Sequence, residues 1–515
     1  MDDPEVLRRF ARELIDKVLS GEIRDRDGLQ AEKMRMCGRY HLKDVPQNSF
    51  ILSNVDESER DYVEPFLVKK PIRTMSGVAV VAVMTSPHPC PHGKCTYCPG
   101  GVENDSPQSY TGKEPAARRA ARNEFDPFMQ VSDRIRQLEE IGHRTDKIDL
   151  IIMGGTFTCR EPDYQEWFVR RCFDAMNGTD SPDLRSAQET NTTSAHRCVG
   201  LTVETRPDVF DDGQIERAMM LGATRVELGV QILDDDILAS VNRGHGVQAV
   251  VDCTKRCKDH GLKICYHLMP GLPGSSPEKD MGSFRLMFSD PRFKPDMLKF
   301  YTTLVIAGTQ LYDMWKRGEY APYDVDTAVK LLADMKAEVP EYVRIQRIQR
   351  DIPAPQIAAG ILKSNVRQLV QAELERTGRR CRCIRCREVG HTSEDADPED
   401  AEFRVIDYDA SGGTEHFISL VVGDSLIGYS RLRTDGSRIA YIRELKVFGK
   451  IVSIGEHGTD WQHRGFGRRL VEKSEQLALS CGADTLRVTS GVGVRAYYAS
   501  LGFGLDAPYM SKRLS

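Results

Sequence analysis

Cys90-Pro-His-Gly-Lys-Cys95-Thr-Tyr-Cys98-Pro-Gly-Gly101 is the stretch on which the reading of this 515-residue chain turns. It follows an apolar, β-branched run at residues 77–84 (GVAVVAVM), so three thiols sit on the loop leaving a buried strand. A C-x-x-x-x-C-x-x-C triplet gathers three thiolates on one side of a short loop. There they can ligate three irons of a cubane cluster and leave the fourth iron open as a reaction site. A structural zinc and three ordinary buried cysteines are the alternatives. Zinc usually takes four closed ligands, and the loop offers only the crowded His88 or His92 as a fourth. The spacing favours the cluster.

Outward from the loop, residues 71–360 alternate short apolar runs with longer helical stretches, which predicts a parallel sheet with crossover helices. Strands are expected at 78–84, 147–153, 200–203, 225–230, 263–268 and 297–305, which make a partial (β/α)6 barrel. In such barrels the chemistry lies at the carboxyl ends of the strands, and the polar and glycine signals fall there. Gly154-Gly155-Thr156 follow the second strand, Glu204 ends the third, Gln231 the fourth, and His267 lies near the end of the fifth. Each alone is weak evidence, since a Gly-Gly is usually a turn and a strand-end acid is usually solvated or paired. Gathered at one rim they are harder to dismiss. Lys299 and Tyr301, two apart on the last strand, share a face and are the catalytic candidates. Facing the interior, Lys299 needs a partner or a ligand; a strand-edge lysine is the plainer alternative.

Residues 1–70 predict an N-terminal helical layer, with amphipathic helices at 5–19 and 28–36 and a polar connection through Pro46. A cap over the barrel is the simpler reading, and RNA binding the functional one. Residues 361–399 read as a basic linker. From 344 to 387 eleven Lys or Arg face three Asp or Glu, a local balance of +8 in a chain of net charge -5. Arg344, Arg347 and Arg350, spaced by three, would share one helical face. With Arg367, Arg379 and Arg380 they are candidates for phosphate contacts, which hold nucleic acid without selecting a base. A solvated charged surface is the plainer reading. Cys381-Arg-Cys383-Ile-Arg-Cys386 brings three thiolates into a tight turn for a zinc, with His391 as the obvious fourth ligand and a cysteine or histidine from elsewhere as the alternative.

From residue 400 to 515 the composition resets. Strands at 403–408, 416–422, 425–433 and 439–448 form a meander, and a helix starts near Gln462-x-x-Gly465-x-Gly467. Bare amides at a helix amino terminus can bind pyrophosphate. Tyr497-Tyr498 before Leu501-Gly502-Phe503 is a second signal in the same region.

No apolar run approaches the roughly 18 residues of a membrane span, and the acidic start MDDPEVLRRF is unlike a signal peptide. A cytoplasmic protein without a membrane partner is expected. Fourteen cysteines, clustered at 90–98 and 381–386, point to reduced thiols and metal sites more than to disulfides.

The cysteine loop and its rim resemble the radical S-adenosylmethionine enzymes, and the 400–515 pattern resembles the acyl-CoA-binding GNAT N-acetyltransferases. Joined in one chain, with CPHGKCTYCPGG, IIMGGTF, VETRPD, ELGVQ, NRGH, MPGLPG, QRDIPAP, SGVGVRAYY and QHRGFG in order, they resemble the family of the Elongator catalytic subunit in its single-chain form. That family modifies the wobble uridine of tRNA. A 5′-deoxyadenosyl radical takes hydrogen from the methyl group of acetyl-CoA, the carbon adds to uracil carbon five, and hydrolysis leaves a carboxymethyl group.

By resemblance, Cys90, Cys95 and Cys98 hold a [4Fe-4S] cluster. Gly154, Gly155, Thr156, Glu204 and Gln231 contact S-adenosylmethionine. Acetyl-CoA is met by Lys147 from the barrel side. From the transferase side it is met by Glu444, Leu445, Lys446, Val447, Gln462, Arg464, Gly465, Phe466, Gly467, Arg468, Tyr497 and Tyr498. The implied partners are tRNA and an electron donor, with a homodimer left open. The rival reading is a protein lysine acetyltransferase whose cluster domain is structural.

Overall fold

The computed structural model describes residues 3–68, 77–389, 400–449 and 465–515. The chain opens with helices Pro4–Leu19, Arg26–Arg39, Asn48–Leu52 and Glu57–Leu67. Pro4 and the Asp3 carboxylate, which accepts the Glu5 N–H, start the first of these. Its apolar stripe of Phe10, Leu14 and Val18 shares a core with Leu29, Met36, Ile51 and Val63. The last two helices occupy the stretch expected as a polar connection. This layer rests on the next domain at Gly142 (φ 88), where a Cβ would lie 2.9 Å from Leu52.

The second unit is a parallel sheet. Its strands are β1 (Ala79–Met84), β2 (Lys147–Met153), β3 (Arg197–Thr205), β4 (Arg225–Gln231), β5 (Lys263–Leu268) and β6 (Met297–Phe300). Beyond β6, the two-residue β7 (Val305–Ile306) pairs antiparallel with β9 (Ile357–Ala359). Between these lies β8 (Arg344–Arg347), which extends the parallel sheet to seven strands in the order β1-β2-β3-β4-β5-β6-β8. Helices such as Pro127–Glu140, Pro162–Asn177 and Val247–Asp259 cover its outer face.

The six expected strands are present, with β6 ending at Phe300 rather than at 305. The expectation of a helical arginine face at 344–350 is corrected, because residues 344–347 form β8, paired with β6. The period of three in RIQRIQR mimics a helix. The strand wins because Ile345 enters the core while Arg344, also buried, finds the Glu388 carboxylate at 3.0 Å.

The third unit is a mixed sheet, β10 (Glu402–Ala410), β11 (Gly413–Val422), β12 (Ser425–Thr434), β13 (Ile439–Val447), β14 (Thr485–Val488), β15 (Gly504–Asp506) and β16 (Tyr509–Arg513). The first four strands form the expected antiparallel meander. β13 then pairs parallel with β14 only as far as Ile442 and Val488, so Glu444–Val447 stay paired with β12 but part from β14, and the sheet splits there. The helix Phe466–Ser480 starts beside this split, its N-cap Gly465 at φ 80, a backbone region that favours glycine.

Barrel and transferase share one hydrophobic core, in which Ile345 and Cys383 join Phe417, Leu426, Tyr429 and Val492. The SGVGV loop at 490–494 lies so close to β3 that a Cβ on Gly491 would sit 2.2 Å from the Val199 carbonyl oxygen. Among the described residues no helix is long and apolar enough to cross a membrane.

Candidate active site: two cavities at the ends of one barrel lumen

The loop after β1 places Cys90, Cys95 and Cys98 along a cavity of about 180 Å³ at the carboxyl ends of the strands. The groups around their sulfurs are those an anionic sulfur needs. Arg243 Nη1 lies 3.7 Å from Cys95 Sγ, Arg206 Nη1 4.0 Å from Cys90 Sγ, and the Ser109 N–H points at Cys98 Sγ from 3.3 Å. Both arginines are buried. The His92 ring contacts Cys90 and Cys95 at 3.1 and 3.2 Å, and burial with Arg206 and Arg243 brings its pKa down to about 4. Three thiols ringed by donors fit a cluster held by three thiolates.

The other rim residues gather beside them. Gly155, Thr156, Glu204 and Gln231 line the same cavity, with Gly154 directly behind. Gly154 (φ 142) admits no side chain, because a Cβ would fall 2.1 Å from Thr85 Oγ1. Glu204 accepts from Tyr110 Oη at 2.8 and 3.0 Å and from the Gly154 N–H at 3.4 Å. Tyr110 was not singled out in the sequence. Gln231 is held at φ 72, and its Oε1 is buried without a hydrogen-bond partner among the described residues. A bare amide, a carboxylate and an orphaned amide oxygen at one rim fit a ligand with amine and hydroxyl groups, as S-adenosylmethionine has.

Below the rim, strand register stacks charged residues in the lumen, with Glu204 beside Glu227, Glu227 beside Cys265, and His267 beside Lys299. Lys299 pairs with the buried Glu227 carboxylate, which His267 Nε2 also reaches at 2.8 Å. Burial would lower the Lys299 pKa, but Glu227 outweighs it and holds the ammonium charged. Burial likewise pushes Glu227 up, and Lys299 and His267 bring it well below the carboxylate range. Tyr301 packs edge-on against His267, with ring centroids 5.2 Å apart, and the Arg350 guanidinium lies 5.7 Å from the Tyr301 ring. Sequence reasoning missed Glu227. Its signal was an acid inside the apolar strand RVELGVQ, which a core does not tolerate without a cation.

A second cavity, of about 460 Å³, lies at the opposite end of the barrel, against the split in the transferase sheet. Lys147 lines it from β2; Glu444, Leu445, Lys446, Val447, Gly465, Phe466, Gly467, Arg468, Tyr497 and Tyr498 line it from the transferase. Gln462 and Arg464 lie outside the described residues. The sequence had not indicated Asp149, Arg225 or Lys263, which complete the barrel wall. Burial lowers the pKa of Lys147 and Lys263, and burial together with Arg344 brings Lys446 to about 8. Cations crowded around a helix amino terminus suit a polyanionic ligand such as a coenzyme A phosphate.

The two cavities are linked by side chains. Asp149 meets Arg225 at 3.2 Å, Arg225 lies 3.9 Å from Glu227, and Glu227 pairs with Lys299, so the chain of ion pairs runs from one cavity to the other.

The arginines expected to meet RNA are mostly engaged within the protein. Arg344 is buried against Glu388 and is not available to a phosphate. Arg347 pairs with Asp351 at 2.6 Å, Arg379 with Asp334 at 2.6 Å and Arg380 with Asp424 at 3.4 Å. Arg367 donates to the Gln346 carbonyl at 3.1 Å. Arg347 and Arg350 both line the radical cavity, and Arg350 donates to the Ser109 carbonyl. The sulfurs of Cys381, Cys383 and Cys386 lie within 4.8 Å of one another, and His391 falls outside the described residues.

Fold and site define a radical S-adenosylmethionine barrel fused to a GNAT acetyltransferase. Residues 86–286 match the Radical SAM superfamily, 295–376 the Radical_SAM C-terminal domain, 382–503 the GNAT acetyltransferase family and 7–75 the ELP3 N-terminal domain. The chain is 47% identical over 531 residues to the tRNA uridine(34) acetyltransferase of Methanocaldococcus infernus, covering 99% of each protein. It is 40% identical over 529 residues to Elongator complex protein 3 of Saccharomyces cerevisiae, covering 98% of this chain and 94% of the yeast protein. The solved structure of M. infernus Elp3 with an N-terminal deletion superposes with a TM-score of 0.76 at 45% identity, over 86% of this chain and 100% of that one. The chain belongs to the Elp3 family, that of the tRNA uridine(34) acetyltransferases and Elongator complex protein 3.

Proposed function

We propose that this protein modifies uridine 34 of tRNA, attaching the acetyl carbons of acetyl-CoA to uracil carbon five as a carboxymethyl group. The observation that carries the reading is the pair of cavities at opposite ends of one lumen, joined by Asp149, Arg225, Glu227 and Lys299. The cluster and S-adenosylmethionine supply a carbon radical able to abstract hydrogen from an unactivated methyl group.

The chain's own residues position and exclude. Cys90, Cys95 and Cys98 are the cluster ligands, and Gly154, Gly155, Thr156, Glu204 and Gln231 orient S-adenosylmethionine. Lys147, Lys446, Arg468 and the amides at Gly465–Gly467 hold acetyl-CoA. Lys299, kept charged by Glu227, presents an ammonium to a carbonyl oxygen in the lumen, and Tyr301, whose pKa burial raises, stays protonated beside it. The acetyl-CoA cleft is walled by Lys147, Arg225 and Lys263, where a protein lysine acetyltransferase would need an open approach for a peptide. We assign a zinc to Cys381, Cys383 and Cys386, with His391 as the fourth ligand, and a reducing, cytoplasmic setting in which none of the fourteen cysteines forms a disulfide.

The test is an anaerobic incubation of reconstituted protein with tRNA, acetyl-CoA, S-adenosylmethionine and a reductant, followed by mass spectrometry of the nucleosides. Carboxymethyluridine from the wild type and none from Cys95→Ala is the expected result. Acetylated protein lysines without a new nucleoside, indifferent to S-adenosylmethionine, would overturn it.

A further inference from the structure

A third concave surface opens beside the radical cavity. It is about 810 Å³ in volume and lies between the helix Pro115–Arg122 and the segment 349–354. It shares Pro115, Arg350 and Asp351 with the lining of the radical cavity, so a ligand seated in one reaches the edge of the other.

Its charge is one-sided. Lys113, Arg118, Arg119, Arg122, Arg134 and Arg350 line it, and Asp351, the one acid in that lining, is already held by Arg347 at 2.6 Å. Arg122 is compensated by Asp133. Lys113, Arg118, Arg119 and Arg350 have no ion pair among the described residues; Arg119 and Arg350 each give one N–H to a carbonyl, of Ala82 and of Ser109, and Arg119 Nε is buried without a hydrogen-bond partner among the described residues. Crowding is visible at Arg119, whose pKa burial and the nearby Arg134 bring down to about 10. The helix itself, PAARRAAR, buries Ala117 and Ala120 and leaves Arg118 and Arg122 exposed one turn apart. Asp133 meets Arg122, which leaves Arg118 as the exposed cation of this helix with no ion pair among the described residues. The stretch at 344–380 is the opposite case, in which most of the apparent excess is neutralised by acids brought from elsewhere in the fold.

We infer that this basin, through Lys113, Arg118 and Arg350, holds the phosphodiester backbone of the tRNA flanking the nucleoside that enters the radical cavity. The inference rests on the function proposed above. Phosphate contacts of this kind fix position and register and leave base choice to the cavity. They also leave a thermodynamic mark, since each phosphate neutralised releases counterions and steepens the salt dependence of binding.

The experiment is fluorescence-anisotropy titration of a labelled tRNA with the full chain, over a range of salt concentrations. Wild type, Lys113→Ala/Arg118→Ala and Arg380→Ala are compared, each checked for thermal unfolding and acetyl-CoA binding. The double variant is expected to bind roughly tenfold more weakly, with the slope of log K against log salt reduced by about 2. Its unfolding and acetyl-CoA binding should be unchanged, and Arg380→Ala should bind tRNA as the wild type does. Unchanged affinity and slope in a folded double variant would overturn the inference and leave the functional reading standing. A wild-type protein that does not bind tRNA at all would overturn both.

Discussion

Arg443 sets the two terminal nitrogens of its guanidinium on the carboxylate of Asp296, at 2.6 and 2.9 Å, with both side chains fully buried between the barrel and the transferase. Arg443 is the extra residue of a β-bulge, because Arg431 pairs with Glu444 and Leu432 with Ile442. The bulge re-aims one side chain, and that side chain crosses the domain boundary. Glu415 and Lys258 extend the network, with Glu415 2.7 Å from Arg443 and 3.5 Å from Lys258. Removing one member of such a network leaves the others charged and unpaired, which is costly. Asp296→Ala should lower stability by about 3–5 kcal/mol, read by denaturant unfolding. It should also weaken acetyl-CoA binding, because Glu444 and Lys263 in the cleft depend on the same packing.

The interface should be sensitive to acid. Burial pushes the Glu444 carboxyl up, but Lys263 and Arg431 outweigh it and hold it at about 2. Glu415 is held low against the same burial by Arg443 and Lys258. Carboxylates lowered by folding contribute stability that is complete above the unfolded value, and lose it as pH falls through the folded one. The melting temperature should therefore fall steadily below about pH 4.5 and down to about pH 2, and less steeply in Glu444→Gln. A wild-type melting temperature that stays flat over that interval would contradict the assignment.

Arg243 and Arg206 should raise the potential of the cluster, since positive charge next to the thiolates favours the reduced, more anionic state. Arg243→Met is expected to lower the midpoint by roughly 50 mV, the one-electron equivalent of about 1 kcal/mol. An EPR-monitored redox titration of the reconstituted protein reads this without reference to turnover. An unchanged potential would make Arg243 a residue of loop architecture only.

Glu227 is a positioning residue for Lys299. Glu227→Gln should cut nucleoside formation by on the order of 10²-fold, while acetyl-CoA and tRNA affinities are kept and the alkaline limb of the pH–rate profile moves to lower pH as Lys299 loses its counter-charge. A rate loss without a shifted profile would mean the variant has merely disturbed packing.

Much of the site was legible in the sequence because its signals are local. A cysteine triplet after an apolar strand, a Gly-Gly after the next, and glycines before a helix each declare themselves within a dozen residues. What stayed hidden depends on residues brought together by register and topology. Glu227 and Lys299 are 72 positions apart and meet only across β4, β5 and β6. The Arg344–Arg347 stretch has a helix-like period and becomes a strand because the sheet edge and Glu388 reward it. The positive charge of residues 344–380 looked like a surface because the compensating Glu388, Asp334 and Asp424 come from other elements. The basin at Lys113 and Arg118 was overlooked for the converse reason, since the arginines of PAARRAAR are few in sequence and dominate only once Arg350 is folded alongside.

The central claim is that one lumen joins the acetyl donor to the radical, and methyl-deuterated acetyl-CoA tests it directly. After anaerobic turnover with tRNA, the account predicts 5′-deoxyadenosine carrying one deuterium and carboxymethyluridine retaining two. Unlabelled 5′-deoxyadenosine, or intact trideuterated acetyl groups on protein lysines, would contradict it.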